Sequence, residues 1–171
     1  MDALTFARFA LKNVHKNFRK TVEDVTPEDA HWIPPGVAHP IGSRYAHLVL
    51  DEDFQVCTCL QRVLTQYQSN FKGRTGISEE IFPQSLEWAR RVKIDLPKLG
   101  IYREAVFSAT EKYFDELTDA DLTRVIDISD LGYGKPTLSV FLSEFVIAHC
   151  NTLMGEISTL KGLLGKKGYP F

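Results

Sequence analysis

The stretch "IAHCNTLMGEI", residues 147–157, predicts a buried helix that carries one polar side chain, His149, among apolar neighbours. Positions four apart lie on one face of a helix, so residue 153 shares the face of His149. A histidine at 153 would complete a His-x-x-x-His pair of metal ligands, but residue 153 is a leucine. The stretch therefore predicts a core helix with half of such a pair.

Apolar residues at helical spacing predict three further long helices, over residues 4–18, 41–67 and 97–117, and extend the one quoted to 137–164. Asp2 can cap the first helix and Gly165 the end of the fourth. A short helix is expected in "LEWARRVKID" and one helical turn after the capping box at 118–121. We therefore expect an all-α fold, an antiparallel four-helix bundle with long structured loops, as a single domain over residues 1–171.

Charge and cysteine content narrow the possible partners and the compartment. The net charge is -2 and the isoelectric point is about 6.2, which argues against nucleic-acid binding. No apolar run approaches the roughly 20 residues that span a bilayer, so no membrane association is expected. The first 20 residues lack a signal-peptide cleavage site, and three cysteines do not form a secreted disulfide framework. The sequence therefore predicts a cytoplasmic protein, with Cys57 and Cys59 as small buried apolar residues.

Three stretches, "IPPGVAHPIGSRYAHLVLDEDF" (33–54), "FDELTDADLTRV" (114–125) and "FVIAHCNTLMGEISTLKGLLGKKGYPF" (145–171), occur in an order that resembles the DinB-like family. The resemblance spans essentially the whole chain. This family of four-helix bundles includes metal-dependent hydrolases and thiol S-transferases, and its members typically bind a divalent metal through three histidines. One histidine lies early in helix two and two form His-x-x-x-His in helix four. The resemblance implies His47 and His149 as ligands and leaves Leu153 in the place of the third.

Leu153 has no donor atom, so a metal site requires a replacement for the third ligand. Asp51 is four residues after His47, and Glu156 is seven after His149, each on the same helix face as its histidine. Either carboxylate would complete a two-His-one-carboxylate set. The expected cofactor is a divalent metal, zinc or nickel. The simpler alternative is that both histidines are hydrogen-bonded core residues and that the carboxylates are solvated or bonded to them.

Three functions follow from these residues and the resemblance. The first is a metal-dependent hydrolase or thiol transferase, in which His47 and His149 anchor the metal and Asp51 or Glu156 acts as third ligand or general base. The second is a metal-free bundle that has lost catalysis and binds a small molecule in its pocket, or a partner. The third is a structural or regulatory homodimer, because the resemblance implies pairing through helix faces.

The remaining histidines match no ligand position of the family. His31 and His39 fall in the Pro-rich connection, and His15 lies within the first helix, where a structural role is expected. Tyr45 is expected in the core or in the wall of a pocket.

Overall fold

In the computed structural model, residues 2–80 and 85–170 are described, and these two ranges contain helices and loops but no β-strand. The helices are α1 (Ala3–Val22), α2 (Pro27–His31), α3 (Ile41–Asp53), α4 (Leu86–Arg91), α5 (Leu96–Glu116), α6 (Leu138–Phe141) and α7 (His149–Leu163). The π-helical segment Phe54–Leu60 extends α3, and a second one, Leu142–Ala148, joins α6 to α7. Short 3-10 helices cover Asp119–Thr123 and Ser129–Leu131. The predicted all-α class is confirmed.

The four long helices form a bundle in which α1 and α3 each pack against both α5 and α7. Large apolar side chains from all four helices fill the interior, including Phe18, Leu48, Phe107 and Ile157. Full burial of each such side chain stabilises the fold by roughly 1.5–3 kcal/mol. The core therefore lies between the four helices.

Helix direction can be followed from contacts between distant residues. Arg8 bonds the carbonyl of Phe114 while Arg19 bonds Glu104, so α1 and α5 are antiparallel. Contacts of Arg44 with Glu156 and of Asp51 with His149 make α3 and α7 antiparallel as well. In this second pair, the first turns of α3 lie beside the part of α7 that comes after His149.

Most helix ends agree with the sequence prediction because local capping residues determine them. The Asp2 carboxylate accepts a hydrogen bond from the Thr5 amide at 2.7 Å, and Gly165 takes the positive φ of a C-terminal cap, 74°. The capping box between Thr118 and Asp121 is also formed. Each of these residues satisfies backbone groups that the helix itself leaves unpaired.

The predicted end of the second helix is wrong. The helix ends at Leu60, not at residue 67, and Arg62 follows with a left-handed φ of 57°. Val63 and Leu64, two apolar residues inside the predicted range 41–67, are more than half exposed. The chain folds back because the buried Asp53 carboxylate accepts hydrogen bonds from the amides of residues 66 and 67. The helical spacing of apolar residues continues past Leu60, so it could not mark the end of the helix. The hydrogen bonds to Asp53 determine that end.

One helical stretch of the described ranges, Leu138–Leu163, is long and apolar enough to cross a membrane by length and composition. It carries Glu144, Glu156 and Lys161 and packs against α1 and α3. The Lys161 ammonium group is buried and pairs with Asp24 at 2.5 Å. Core helices of soluble proteins meet the same length and composition criteria, so this helix is weak support for membrane insertion.

Candidate metal centre

The antiparallel packing of α3 and α7 brings His47, Asp51 and His149 together. His47 and Asp51 lie four residues apart on α3, and their Nε2 and Oδ2 atoms are 2.8 Å apart. His149, the first residue of α7, places its Nε2 atom 3.6 Å from the same Oδ2 atom. The two imidazole rings have centroids 5.3 Å apart and are tilted by 50°. One carboxylate thus lies between two histidines from facing helices.

The ligand atoms of these three residues all lie within 4.8 Å of one another. Two atoms bound to one zinc ion at ordinary bond lengths are about 3.4 Å apart in tetrahedral geometry. The observed separations of 2.8 and 3.6 Å lie on either side of that value. Imidazole nitrogen and carboxylate oxygen are also the donors that zinc accepts. The arrangement therefore fits a divalent cation with small side-chain adjustments.

The three side chains are partly covered. Their exposed fractions are 20% for His47, 11% for Asp51 and 25% for His149. Burial lowers the pKa of His149, and the nearby His47 and Arg44 lower it further, while the Asp51 charge opposes them. All three side chains are therefore mostly buried, and each still reaches solvent.

Two polar atoms of the group have no hydrogen-bond partner within the described ranges. They are Nδ1 of His47 and Oδ1 of Asp51, and both are buried. A buried polar atom without a partner costs roughly 1–3 kcal/mol. The Asp51 carboxylate therefore has an unused acceptor beside the two histidines.

Glu156, the other carboxylate considered for the third ligand, is directed elsewhere. Its Oε2 atom is 2.5 Å from Nε of Arg44, which lies one turn before His47. Glu156 does not belong to the group whose ligand atoms lie within 4.8 Å. The structure therefore brings Asp51 to the two histidines and pairs Glu156 with an arginine.

Comparison with known protein families matches residues 10–152 to the DinB superfamily. The chain belongs to the DinB superfamily. It is also similar in structure to a conserved protein from Enterococcus faecalis, with a TM-score of 0.79 and 20% sequence identity. That match covers 97% of this chain and 99% of the other, and at this identity it supports the fold alone. Comparison with curated proteins finds no match.

Leu153 lies where the DinB-like pattern has its third histidine, and its side chain belongs to the apolar core. It is only 3% exposed and packs in a cluster that includes Leu48, Met154 and Ile157. The position one turn after His149 is thus an apolar wall in this member of the DinB superfamily.

Sequence reasoning missed the influence of Arg44 on this site, and it also missed the carboxylates that hold His15. Arg44 lowers the pKa of both His149 and His39, so its charge reaches the site. Its spacing of three residues before His47 was a usable signal, because both lie on one helix face. His15 is held by Glu52 and Glu111, 37 and 96 residues away, and no local pattern predicts that contact.

Proposed function

We propose that His47, Asp51 and His149 bind a divalent cation, zinc or nickel, and that this DinB-superfamily protein uses it in hydrolysis or thiol transfer. One observation carries the proposal: two histidines and a carboxylate place their ligand atoms within 4.8 Å of one another between α3 and α7. The donor set is that of catalytic two-His-one-carboxylate centres. The proposed third ligand is Asp51, one of the two carboxylates considered from the sequence.

The site has the features that a catalytic rather than a structural metal requires. Structural zinc sites are closed by four protein ligands, whereas catalytic sites use three and leave one position open. Three candidate donors are present here, with Asp51 in place of the third histidine that the resemblance implies at residue 153. A divalent cation bound here would lower the pKa of a water or thiol in the open position.

Residues of the chain itself would orient what binds there. The Asp51 carboxylate contacts Nε2 of both histidines, so the three proposed ligand atoms are already close together. Arg44 lies close enough to lower the pKa of His149, but its guanidinium is paired with the Glu156 carboxylate. The Leu153 side chain, one turn after His149, is buried in the apolar core and supplies no donor.

Thermal unfolding with and without zinc or nickel tests cation binding. A ligand at 100 times its dissociation constant stabilises a protein by about 2.7 kcal/mol. We expect the metal-dependent rise in melting temperature to be lost in Asp51→Asn and His149→Gln. Glu156→Gln is the matched control, because it removes the carboxylate that pairs with Arg44 and should keep the shift.

Activity is tested on the wild-type protein with ester substrates and with thiol-transfer substrates, after chelation and after zinc or nickel is restored. Turnover that disappears on chelation and returns with the metal supports an enzyme. Metal binding without turnover on either substrate class would contradict the catalytic half of the proposal and leave the binding half standing.

A metal-free ligand-binding bundle is the second candidate. The hydrogen bond between His47 and Asp51 already satisfies one atom of each residue, and Leu153 is packed in the core. On this account zinc and nickel would not stabilise the wild-type protein, while Leu153→His would create binding. A metal-dependent shift in the wild type excludes this candidate.

We propose further that the protein is a cytoplasmic homodimer without a nucleic-acid or membrane partner. Cys57, Cys59 and Cys150 are buried free thiols, which suits a reducing compartment. The small net negative charge supports the absence of a nucleic-acid partner. The homodimer rests on the family resemblance alone.

A further inference from the structure

A cavity lies on the other side of α3 from the candidate metal centre. Its volume is about 650 Å³, and its walls come from α1, the start of α2, α3 and α5. Tyr45 lines it, and successive helix residues turn by about 100°, so Tyr45 and His47 face nearly opposite directions. None of His47, Asp51 and His149 contributes to its wall. The cavity is therefore separate from the site described above.

Cationic side chains in this cavity are held in place by the protein. Arg19 donates from Nε to Glu104 at 3.0 Å, and its guanidinium lies 5.1 Å from the centre of the Phe107 ring. Arg103 donates from Nε to the same Glu104 at 2.9 Å. Lys20 also lines the cavity, where Glu23 is the sole acidic residue of the described lining. With Glu104 counted beside Glu23, the three basic side chains still leave a net positive charge at the cavity.

The Tyr45 hydroxyl adds a directed donor. Tyr45 is only 2% exposed, and its Oη atom accepts a hydrogen bond from Arg103 at 2.7 Å. Within residues 2–80 and 85–170, the hydroxyl hydrogen itself has no acceptor. Burial raises the pKa of Tyr45 to about 12, so the hydroxyl keeps this hydrogen at neutral pH. A ligand oxygen in the cavity could accept it.

Gly100 keeps the space in front of this hydroxyl open. It lies inside α5, where glycine is unfavourable relative to alanine. A Cβ atom there would meet only the Tyr45 Oη atom, at an ordinary 4.0 Å, so packing within the protein does not require glycine. Leu96 and Pro97 place the positive N-terminal end of the 21-residue α5 at the same cavity.

We propose that this cavity binds a small organic anion, a carboxylate or phosphate attached to an apolar body. The anionic group accepts from the Tyr45 hydroxyl and from Arg103, and Arg19 and Lys20 complement its charge. The apolar body packs against Val22, Val25 and Leu96, which line the same space. The volume is that of ordinary small-molecule sites. This binding does not depend on a metal at His47, Asp51 and His149.

Amide-resonance titrations of ¹⁵N-labelled full-length protein test the proposal. Benzoate and phenyl phosphate are the anionic probes, and benzyl alcohol is the uncharged control, each added to roughly 10 mM because weak ligands bind in the millimolar range. We expect one or both anions to shift resonances around Gly100 and Tyr45, and benzyl alcohol to bind at least about tenfold more weakly. The better of the two anions identifies a carboxylate or a phosphate ligand.

Two variants locate the binding. Gly100→Leu fills the cavity while improving helix propensity, so it should abolish binding without lowering the melting temperature. Gly162→Leu is the matched control, because a Cβ at this helical glycine meets nothing within 4 Å and Gly162 lies outside the cavity. Tyr45→Phe keeps the ring and removes the donor, and should weaken binding about tenfold. Absence of anion binding in the wild type, or unchanged binding in Gly100→Leu, would overturn the proposal.

Discussion

At the scale of single residues, Asp51 is the most important side chain of the proposed metal centre. Its Oδ2 atom lies 2.8 Å from His47 and 3.6 Å from His149, while its Oδ1 atom is buried without a partner in the described chain. A cation between the two histidines would use the carboxylate that is already aimed at them. In the proposed site, this carboxylate on α3 takes the place of the histidine that α7 lacks.

Restoring that histidine should strengthen metal binding. We expect Leu153→His to bind zinc about tenfold or more tightly than wild type, roughly 1.4 kcal/mol, because it adds an imidazole on the face of His149. Isothermal titration calorimetry measures the change. Leu163→His, on the same helix but 61% exposed, is the control for an added surface histidine. Equal zinc affinity in wild type and Leu153→His would show that residue 153 does not reach the site.

His15 should make the stability of the protein depend on pH. Its Nδ1 and Nε2 atoms face Glu111 at 2.8 Å and Glu52 at 3.1 Å. Burial lowers the pKa of His15, but the two carboxylates outweigh burial and raise it above 6.5. A raised folded-state pKa means that the ionised ring stabilises the fold fully below pH 6.5 and loses this effect as the pH rises through the folded value.

We therefore expect His15→Gln to be less stable than wild type, by on the order of 3–5 kcal/mol for a broken buried pair, with the largest difference near pH 6. The difference should narrow toward pH 9. Urea unfolding at several pH values measures it. The lowered pKa of Glu111 acts in the opposite direction, so its contribution is lost only on acidification below about 4.5. A difference that stays constant from pH 6 to 9 would contradict an ionised His15.

Local spacing could place His47, Asp51 and His149 on the correct helix faces. It could not choose between Asp51 and Glu156, because the pairing of Glu156 with Arg44 depends on how α3 and α7 meet. The carboxylates around His15 were beyond reach for the same reason, since they come from two other helices.

At the scale of structural elements, the buried Asp53 carboxylate decides where the second long helix stops. It accepts hydrogen bonds from the amides of residues 66 and 67 and from the hydroxyl of Tyr102, the last at 2.6 Å. The Cys57 thiol donates to it as well, at 3.2 Å. One side chain thus fixes the returning loop, α5 and the π-helical segment.

Asp53→Asn should weaken these contacts. The amide NH2 group cannot accept a hydrogen bond, so at least one of the donors that now bond Asp53 would lose its acceptor. We expect a loss of about 1–3 kcal/mol or more in the free energy of unfolding, measured by urea denaturation. Tyr102→Phe removes one of the donors and should cost only about 1 kcal/mol. If Asp53→Asn were no more harmful than Tyr102→Phe, the carboxylate would not hold the turn.

Helix starts were predictable and one helix end was not, for a physical reason. Asp2, Asp95 and Thr137 each cap the helix that follows them through a bond to an amide three residues on, which the sequence displays directly. The end at Leu60 depends on Asp53 and on a turn through Arg62. Val63 and Leu64 lie beyond this end but keep the apolar spacing of a helix, so the sequence alone predicts that the helix continues.

At the scale of the whole molecule, family resemblance predicts a homodimer. Sedimentation equilibrium should give twice the 19.4 kDa mass of one chain. A single-chain mass at every concentration would contradict pairing, without affecting the proposals for the metal centre or the anion cavity.

Within the bundle as a whole, α3 presents different groups to its two sides. His47 and Asp51 face His149 of α7, and Tyr45 faces Arg103 of α5. The all-α class and the four long helices could be predicted from apolar periodicity. The anion cavity could not, because it is made by residues from four elements whose relative placement no local pattern contains.

The most direct test of the metal centre is the metal content of purified protein after incubation with zinc or nickel and removal of unbound ions. Elemental analysis should find about one metal ion per chain in the wild type and in Glu156→Gln. It should find far less in Asp51→Asn. A wild-type protein without metal, or an Asp51→Asn variant that retains the full amount, would contradict a metal centre built on His47, Asp51 and His149.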